Sequence, residues 1–293
     1  MFKYLFLEIF HNTLTFSILL LQNNTFAEIF FFLYLCTVIF NHAAMKIVIN
    51  PQYKNLSHFV HELPQNFDNT GKVLHQGRNQ VKAFQVEGYN IVVKRYKRPN
   101  LIQRVIYTFF RPSKAYRAYN FAFQIQNLGI NTPEAIAYIE INRHGLFSDS
   151  YFVSLQCEDA PLFPILVNTP LYDKKLTRNL ALHIVELHKK GFFHGDLNLA
   201  NILYREDNGS TYFTFIDTNR SHFIEQPSQK TCLKNLMRVT HRTDLLRDIV
   251  QTYAQQRGWN ANLCCEEVEA MLHHFERKRA RKYQIKKVLN LTR

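Results

Sequence analysis

The 293-residue sequence predicts an α+β fold in two lobes, a small strand-rich N-lobe carrying one helix and a larger helical C-lobe. Three observations predict it. Residues 71–96 are rich in β-branched residues between short turns. Leu176, Leu180, Ile184 and Leu187 recur at helical spacing, which marks one buried stripe. After that stripe comes a short hairpin with polar residues at both ends. The hydrophobic fraction of 46% is enough for a core of this size, and Gly and Pro, 9 each, are too few for a fibrous or disordered chain.

The first element in chain order is an apolar extension over residues 1–44. Its longest strongly apolar run, Ile29 to Phe40, is shorter than the roughly 20 residues of a bilayer span. Only Lys3 precedes the apolar part, a weak start for a signal peptide. An anchor, a signal and a mis-assigned start remain open readings. Met45-Lys46-Ile47-Val48-Ile49 reads as the beginning of the working chain. From Met45 the N-lobe is expected to run to residue 156 and the C-lobe from 157 to 293.

In the N-lobe, Lys72–His75, Gln80–Val86 and Tyr89–Lys94 are predicted strands, with a turn at Glu87-Gly88. Pro99 breaks the basic run Lys94–Arg98. Ser113 is a predicted N-cap and Gly129 a stop for a helix over 113–128. Strands follow at Ala135–Ile141 and Ser150–Gln156. In the C-lobe, Gly191 ends the striped helix. Ile202–Tyr204 and Tyr212–Ile216 form a hairpin across Asp207-Asn208-Gly209. A helix is expected from Leu263 to about Lys282.

The chemistry concentrates in His194-Gly195-Asp196-Leu197-Asn198-Leu199-Ala200-Asn201. This resembles the protein-kinase catalytic loop H-R-D-L-x-x-x-N, with Gly for Arg. Phosphoryl transfer needs an acceptor hydroxyl aligned with the γ-phosphate and cations to absorb the charge that spreads over its oxygens. Asp196 can take the hydroxyl proton, and the amide oxygen of Asn201 suits Mg²⁺. Asp217 ends the apolar step Phe213–Ile216, where a metal-binding carboxylate is expected. Lys94 ends Ile91-Val92-Val93 and is the expected ligand of ATP phosphates. The Gly77-Arg78-Asn79 turn is a candidate phosphate cover, through its backbone N–H groups and Arg78. The helix over 113–128 has no acidic residue to pair with Lys94. Asn120 and Gln124 are the neutral candidates to hold it.

The segments SKAYRAYNFAFQIQNLGINTPEAIAYIE, LHKKGFFHGDLNLANILY and FIDTNRSHF resemble the lipopolysaccharide kinases of the Kdo/WaaP family, nearest their Bacteroidetes branch. Cys232-Leu233-Lys234-Asn235-Leu236-Met237-Arg238 adds to the likeness, which covers about Met45 to Arg247. The resemblance implies a protein-kinase-like fold, ATP and Mg²⁺, and phosphate transfer to a hydroxyl on an inner-core sugar, Kdo or heptose. It implies Asp196 as base, Lys94 on the nucleotide, and Asn201 and Asp217 on metal. Members often carry a helix glutamate near Asn120. Its absence raises the alternative of a nucleotide-binding pseudokinase. The H-G-D-L-x-x-x-N loop also resembles aminoglycoside and choline phosphotransferases.

The net charge of +13 favours an anionic partner. Besides ATP, the expected partners are lipopolysaccharide core or another hydroxyl-bearing anionic glycan, with peripheral contact to anionic membrane through the basic tail Arg277–Lys287. Localisation is expected to be cytoplasmic, at the inner face of the inner membrane. No nucleic-acid motif appears, and no nucleic-acid partner is expected. Cys36, Cys157, Cys232, Cys264 and Cys265 form no C-x-x-C pair and read as structural thiols.

Overall fold

The computed structural model describes residues 44–288. The expectations for the apolar extension therefore lie outside the described residues, apart from Ala44, which opens the first strand. The chain runs β1 (Ala44–Ile49), a 3₁₀ turn (Pro51–Leu56), α1 (Ser57–Asn66), β2 (Lys72–Gln76), β3 (Gln80–Val86) and β4 (Tyr89–Arg95). Then come α2 (Leu101–Phe109), α3 (Lys114–Asn127), β5 (Ala135–Arg143) and β6 (Leu146–Leu155). The six strands form one antiparallel sheet in the order β1-β5-β6-β4-β3-β2.

Period-two alternation divides this sheet into two faces. Ile91, Val93, Tyr151 and Val153 turn to one face and pack under Leu56, Val60, Leu63 and Phe67. Tyr96 and Tyr138 turn to the other, against Ala115, Tyr119 and Ala122 of α3. Lys94 shares the parity of Val92 and Tyr96, so its side chain leaves the sheet on the α3 side. Ser113 caps α3 by accepting from the Tyr116 N–H (3.0 Å), as its position in the sequence predicts.

The single expected N-lobe helix is α3. Two more, α1 and α2, stand beside it and were not legible. Pro64 lies within α1, and Pro99 with the basic run masked the start of α2.

The second half holds β7 (Ala160–Pro161), α4 (Leu162–Val167), α5 (Lys174–Lys189), β8 (Phe192–Phe193), β9 (Ile202–Asp207) and β10 (Ser210–Phe215). It ends with β11 (His222–Phe223), α6 (Gln229–Leu236), α7 (Thr243–Gln256) and α8 (Ala261–Val288). The four stripe residues of α5 are all buried at the centre of this half, among Phe213, Phe215, Leu246 and Tyr253. The β9–β10 turn puts Asn208 and Gly209 at φ 49° and 77°. Both are left-handed, as a two-residue hairpin turn requires.

The two halves are stitched where the α3–β5 connection meets β10. The Phe215 N–H donates to Asn131 O (2.9 Å), and Thr132 Oγ1 donates to Phe215 O (2.8 Å). That seam sets the sheet over the end of the hairpin. No helix among the described residues is long and apolar enough to cross a membrane.

Candidate active site

The sheet and the hairpin enclose a cleft of about 580 Å³. Val81, Val92, Lys94 and Phe152 line it from the sheet, and Asn201 and Asp217 from below. The end of β6 and the residues that follow it, Ser154 to Cys157, form its back wall. Apolar side chains thus meet charged ones at one end, the arrangement a ligand with a flat apolar base and a charged tail requires.

Hairpin register explains why Asn201 and Asp217 meet. Phe215 pairs with Ile202 at the open end of β9–β10, and the Ile216 N–H donates to Asn201 O (3.0 Å). The two polar residues therefore follow directly off the last rung. Asp217 sits in the left-handed region, φ 59° and ψ 41°, uncommon for a residue with a side chain. This backbone turn brings its carboxylate to Lys94, with Nζ to Oδ1 at 2.6 Å. Asn219 Nδ2 also donates to Asp217 Oδ1. Burial works to raise the Asp217 carboxyl, but the Lys94 ammonium overrides it and holds the group below the ordinary carboxylate value.

Lys94 is thus held by Asp217 and not by α3. Asn120 donates to the Tyr116 carbonyl of its own helix (2.8 Å), and Gln124 is exposed. The neutral partners considered from the sequence do not fill the place of the missing glutamate.

The loop between β8 and β9 is fixed by buried imidazole. His194 accepts from the Asp196 N–H at Nδ1 (3.1 Å) and donates from Nε2 to Ile216 O (2.9 Å), which defines the neutral tautomer. Burial pushes its pKa down, and no solvent reaches it to supply a proton. One ring thereby ties Asp196 to the residue before Asp217. Behind it, Asn235 donates to His194 O (2.9 Å) and pairs with His188 (3.0 Å), which in turn meets Tyr253 (2.8 Å).

Gly195 has a steric cause. A Cβ there would lie 1.9 Å from the Arg220 carbonyl oxygen, so no side chain fits between the loop and the turn after Asp217. The kinase arginine is absent because the backbone of Arg220 occupies its space.

Asp196 itself is held by two guanidinium groups. Arg238 donates to Oδ1 at 2.9 Å, and Arg220 stands 3.6 Å from Oδ2. Asn201 Nδ2 donates to Asp196 O (2.9 Å), which leaves the amide Oδ1 as the atom it can offer to a cation. Sequence reasoning missed both arginines as site residues. Arg220 and Arg238 lie inside the quoted segments, but nothing in their spacing marks them as neighbours of Asp196.

Of the expected phosphate-covering turn, Asn79 lines the cleft, whereas Gly77 and Arg78 line a hollow beside it. The Gly77 N–H is engaged within the turn, donating to Asn79 O (3.1 Å).

The donor set fits Mg²⁺. A half-buried, ionised carboxylate and an amide oxygen face the cleft from adjacent positions, and Mg²⁺ takes its remaining ligands from water and substrate phosphates. No cluster of three or more His, Cys, Asp or Glu that could hold a metal occurs among the described residues, so a dedicated protein cage of that type is not on offer there.

Comparison with known proteins places this cleft in context. The model of the lipopolysaccharide kinase (Kdo/WaaP) family matches residues 69–261. Two proteins named 3-deoxy-D-manno-octulosonic acid kinase, from Vibrio vulnificus strains YJ016 and CMCP6, are 25% and 24% identical over 147 residues. The match covers 48% of this chain and 62% of each of those proteins, so it spans under two thirds of their length. A solved structure of WaaP in complex with acyl carrier protein superimposes with a TM-score of 0.52 at 16% identity, covering 81% of this chain and 98% of the other. That likeness shows the fold, which is protein-kinase-like. The family match takes in β2 to β6 of the sheet, α3, the catalytic-type loop and the hairpin ending at Asp217, and on that extent the chain belongs to the lipopolysaccharide kinase (Kdo/WaaP) family.

Proposed function

We propose that the protein is an ATP-dependent kinase that phosphorylates a sugar hydroxyl of the lipopolysaccharide inner core, Kdo or heptose. The observation that carries this reading is the convergence of Lys94, Asn201 and Asp217 on one end of the cleft, with Asp196 braced beside them.

Each residue has a chemical task. Lys94 neutralises the phosphate tail of ATP, whose base packs among Val81, Val92 and Phe152. Asp217 and Asn201 hold Mg²⁺, which supplies charge neutralisation on the phosphate oxygens. Asp196 accepts the proton of the acceptor hydroxyl as its oxygen bonds to the γ-phosphorus and the bond to the β-phosphate oxygen breaks, releasing ADP. The guanidinium of Arg238 on Oδ1 fixes the Asp196 carboxylate against rotation, and Oδ2, with Arg220 at the longer distance of 3.6 Å, is the oxygen that takes the proton. Lys94 keeps its place through Asp217, which removes the need for a glutamate on α3.

A basic surface around the site suits an acceptor that is itself anionic, and such an acceptor is anchored in a membrane. Peripheral, inner-face association follows from that reading.

The test is transfer of labelled phosphate from ATP to a Kdo-bearing lipid acceptor, run beside an aminoglycoside and choline. Wild type should label the glycolipid alone. Asp196→Asn should lower the rate by about 10²–10⁴-fold while retaining ATP binding. Labelling of the aminoglycoside, or ATP binding without transfer by either protein, would contradict the proposal.

A further inference from the structure

Helix α2 is inside out. Its polar residues Arg104, Tyr107 and Thr108 face the protein, and its apolar ones face away. Arg104 donates to Phe147 O (2.8 Å) and Arg143 O (3.0 Å), and Thr108 Oγ1 accepts from the Phe147 N–H (2.9 Å). Asn100 caps the helix by accepting from the Gln103 N–H (2.9 Å). Those bonds fix the helix firmly against β6 with the opposite face outward. There Leu101, Ile102, Val105 and Ile106 are exposed, Ile102 to 72%, and Phe110 just beyond is 80% exposed. A folded protein exposes so continuous an apolar stripe where something else covers it.

The surrounding charge says what that is. Between Glu87 and Glu134 the chain carries eight Lys and Arg and no acidic residue. Arg78, Lys97, Arg98 and Lys114 line a hollow of about 320 Å³ along the flank of α2, together with its own Gln103 and Tyr107. Arg98 is paired with Asp149 (2.7 Å), whereas Lys114 is half-buried, and burial first, then Arg220, Arg78 and Arg117, press its pKa down against the weaker pull of Asp217, so positive charge is in excess along this flank. Apolar side chains flanked by an excess of cations match an anionic bilayer, acyl chains for the stripe and phosphate headgroups for the hollow.

We propose that α2 and Phe110 form the membrane-docking element of this protein, inserting their apolar face into the interface of an anionic bilayer while the flanking hollow receives a lipid phosphate. Tyr96 lines both the hollow and the catalytic cleft, so docking sets the cleft at the lipid surface. The stripe and the hollow belong to the helix and its flank, whatever the acceptor. The basic end of α8 is a separate surface: Arg277 to Lys282 are exposed but carry no comparable apolar stripe.

The experiment uses the full chain without ATP. Sedimentation is measured with phosphatidylcholine vesicles, with and without roughly one third phosphatidylglycerol. The expected result is binding to the anionic vesicles, weakened ~10-fold or more by Ile102→Asp with Ile106→Asp. Circular dichroism checks that the variant is folded. Phe110→Trp gives a second readout at an exposed position: its emission shifts to the blue and is quenched by brominated acyl chains, against the unaltered chain with its single Trp259 as control.

Undiminished vesicle binding by the double variant overturns the proposal, because another surface then docks. So does a Phe110→Trp indole that stays in water. No vesicle binding by the unaltered protein, with a change from dimer to monomer in the double variant, shows that a second copy covers the stripe and overturns it equally. Phosphoryl transfer can fail or succeed independently of each of these readings.

Discussion

At Gly195 a single missing atom decides how the loop closes. Because a Cβ would meet the Arg220 carbonyl at 1.9 Å, Gly195→Ala must push apart the loop bearing Asp196 and the turn bearing Asp217. We expect a stability loss of about 1–3 kcal/mol by thermal melting, as for an overpacked site, with a larger loss in phosphoryl transfer. An alanine variant of full activity would show that the two segments need not touch. Asn201 offers one amide oxygen. Asn201→Ala should raise the Mg²⁺ concentration needed for half-maximal activity by about tenfold or more, while Asn201→Asp restores part of it. A metal titration checks this, and chelation with EDTA should stop transfer in all forms until Mg²⁺ is returned. His194, Asp196 and Asn201 were legible because the motif is contiguous and each spacing has a chemical meaning. Arg238 was not, since it lies 42 positions from Asp196 and reaches it only through the packing of α6.

Elements explain what the motif rests on. Helix α5 carries His183 and His188 into the core beneath the catalytic-type loop. His183 stacks on Phe215, with centroids 5.8 Å apart, and His188 on Phe193 at 4.3 Å. Burial lowers both to about 4. Unfolding lets each imidazole regain its ordinary affinity for a proton, so the unfolded chain binds more protons between about pH 6.5 and 4. Stability is therefore full above pH 6.5 and falls as pH drops through that window, by up to roughly 1.4 kcal/mol per unit for each group. Denaturant melts at pH 7, 6 and 5 should show the decline, and His188→Gln should flatten it. A profile level down to pH 5, or a variant as steep as wild type, would contradict the assignment. Here too legibility has a physical limit. Ser113 and Gly129 mark α3 by local bonds and local φ, which sequence records. In α2 the apolar spacing is present in the sequence, but the face that turns inward is chosen by Arg104 and Thr108 meeting β6, which lies about forty positions on.

Over the whole molecule, the sheet and the helical half enclose the cleft between them and are joined at the seam between Asn131–Thr132 and Phe215. The mixed α+β plan in two parts was readable because its strands are β-branched runs between short turns and α5 keeps period 3.6. The pairing of Lys94 with Asp217 was not, because it depends on how the sheet is set over the hairpin. The central claim is that this arrangement delivers a phosphoryl group to the lipopolysaccharide core. The most direct measurement is mass spectrometry of lipopolysaccharide from cells lacking the gene, complemented with wild type or Asp196→Asn. The account predicts inner-core species lighter by one phosphoryl group, restored by wild type and not by the variant. Lipopolysaccharide of unchanged mass in the deleted cells would contradict it.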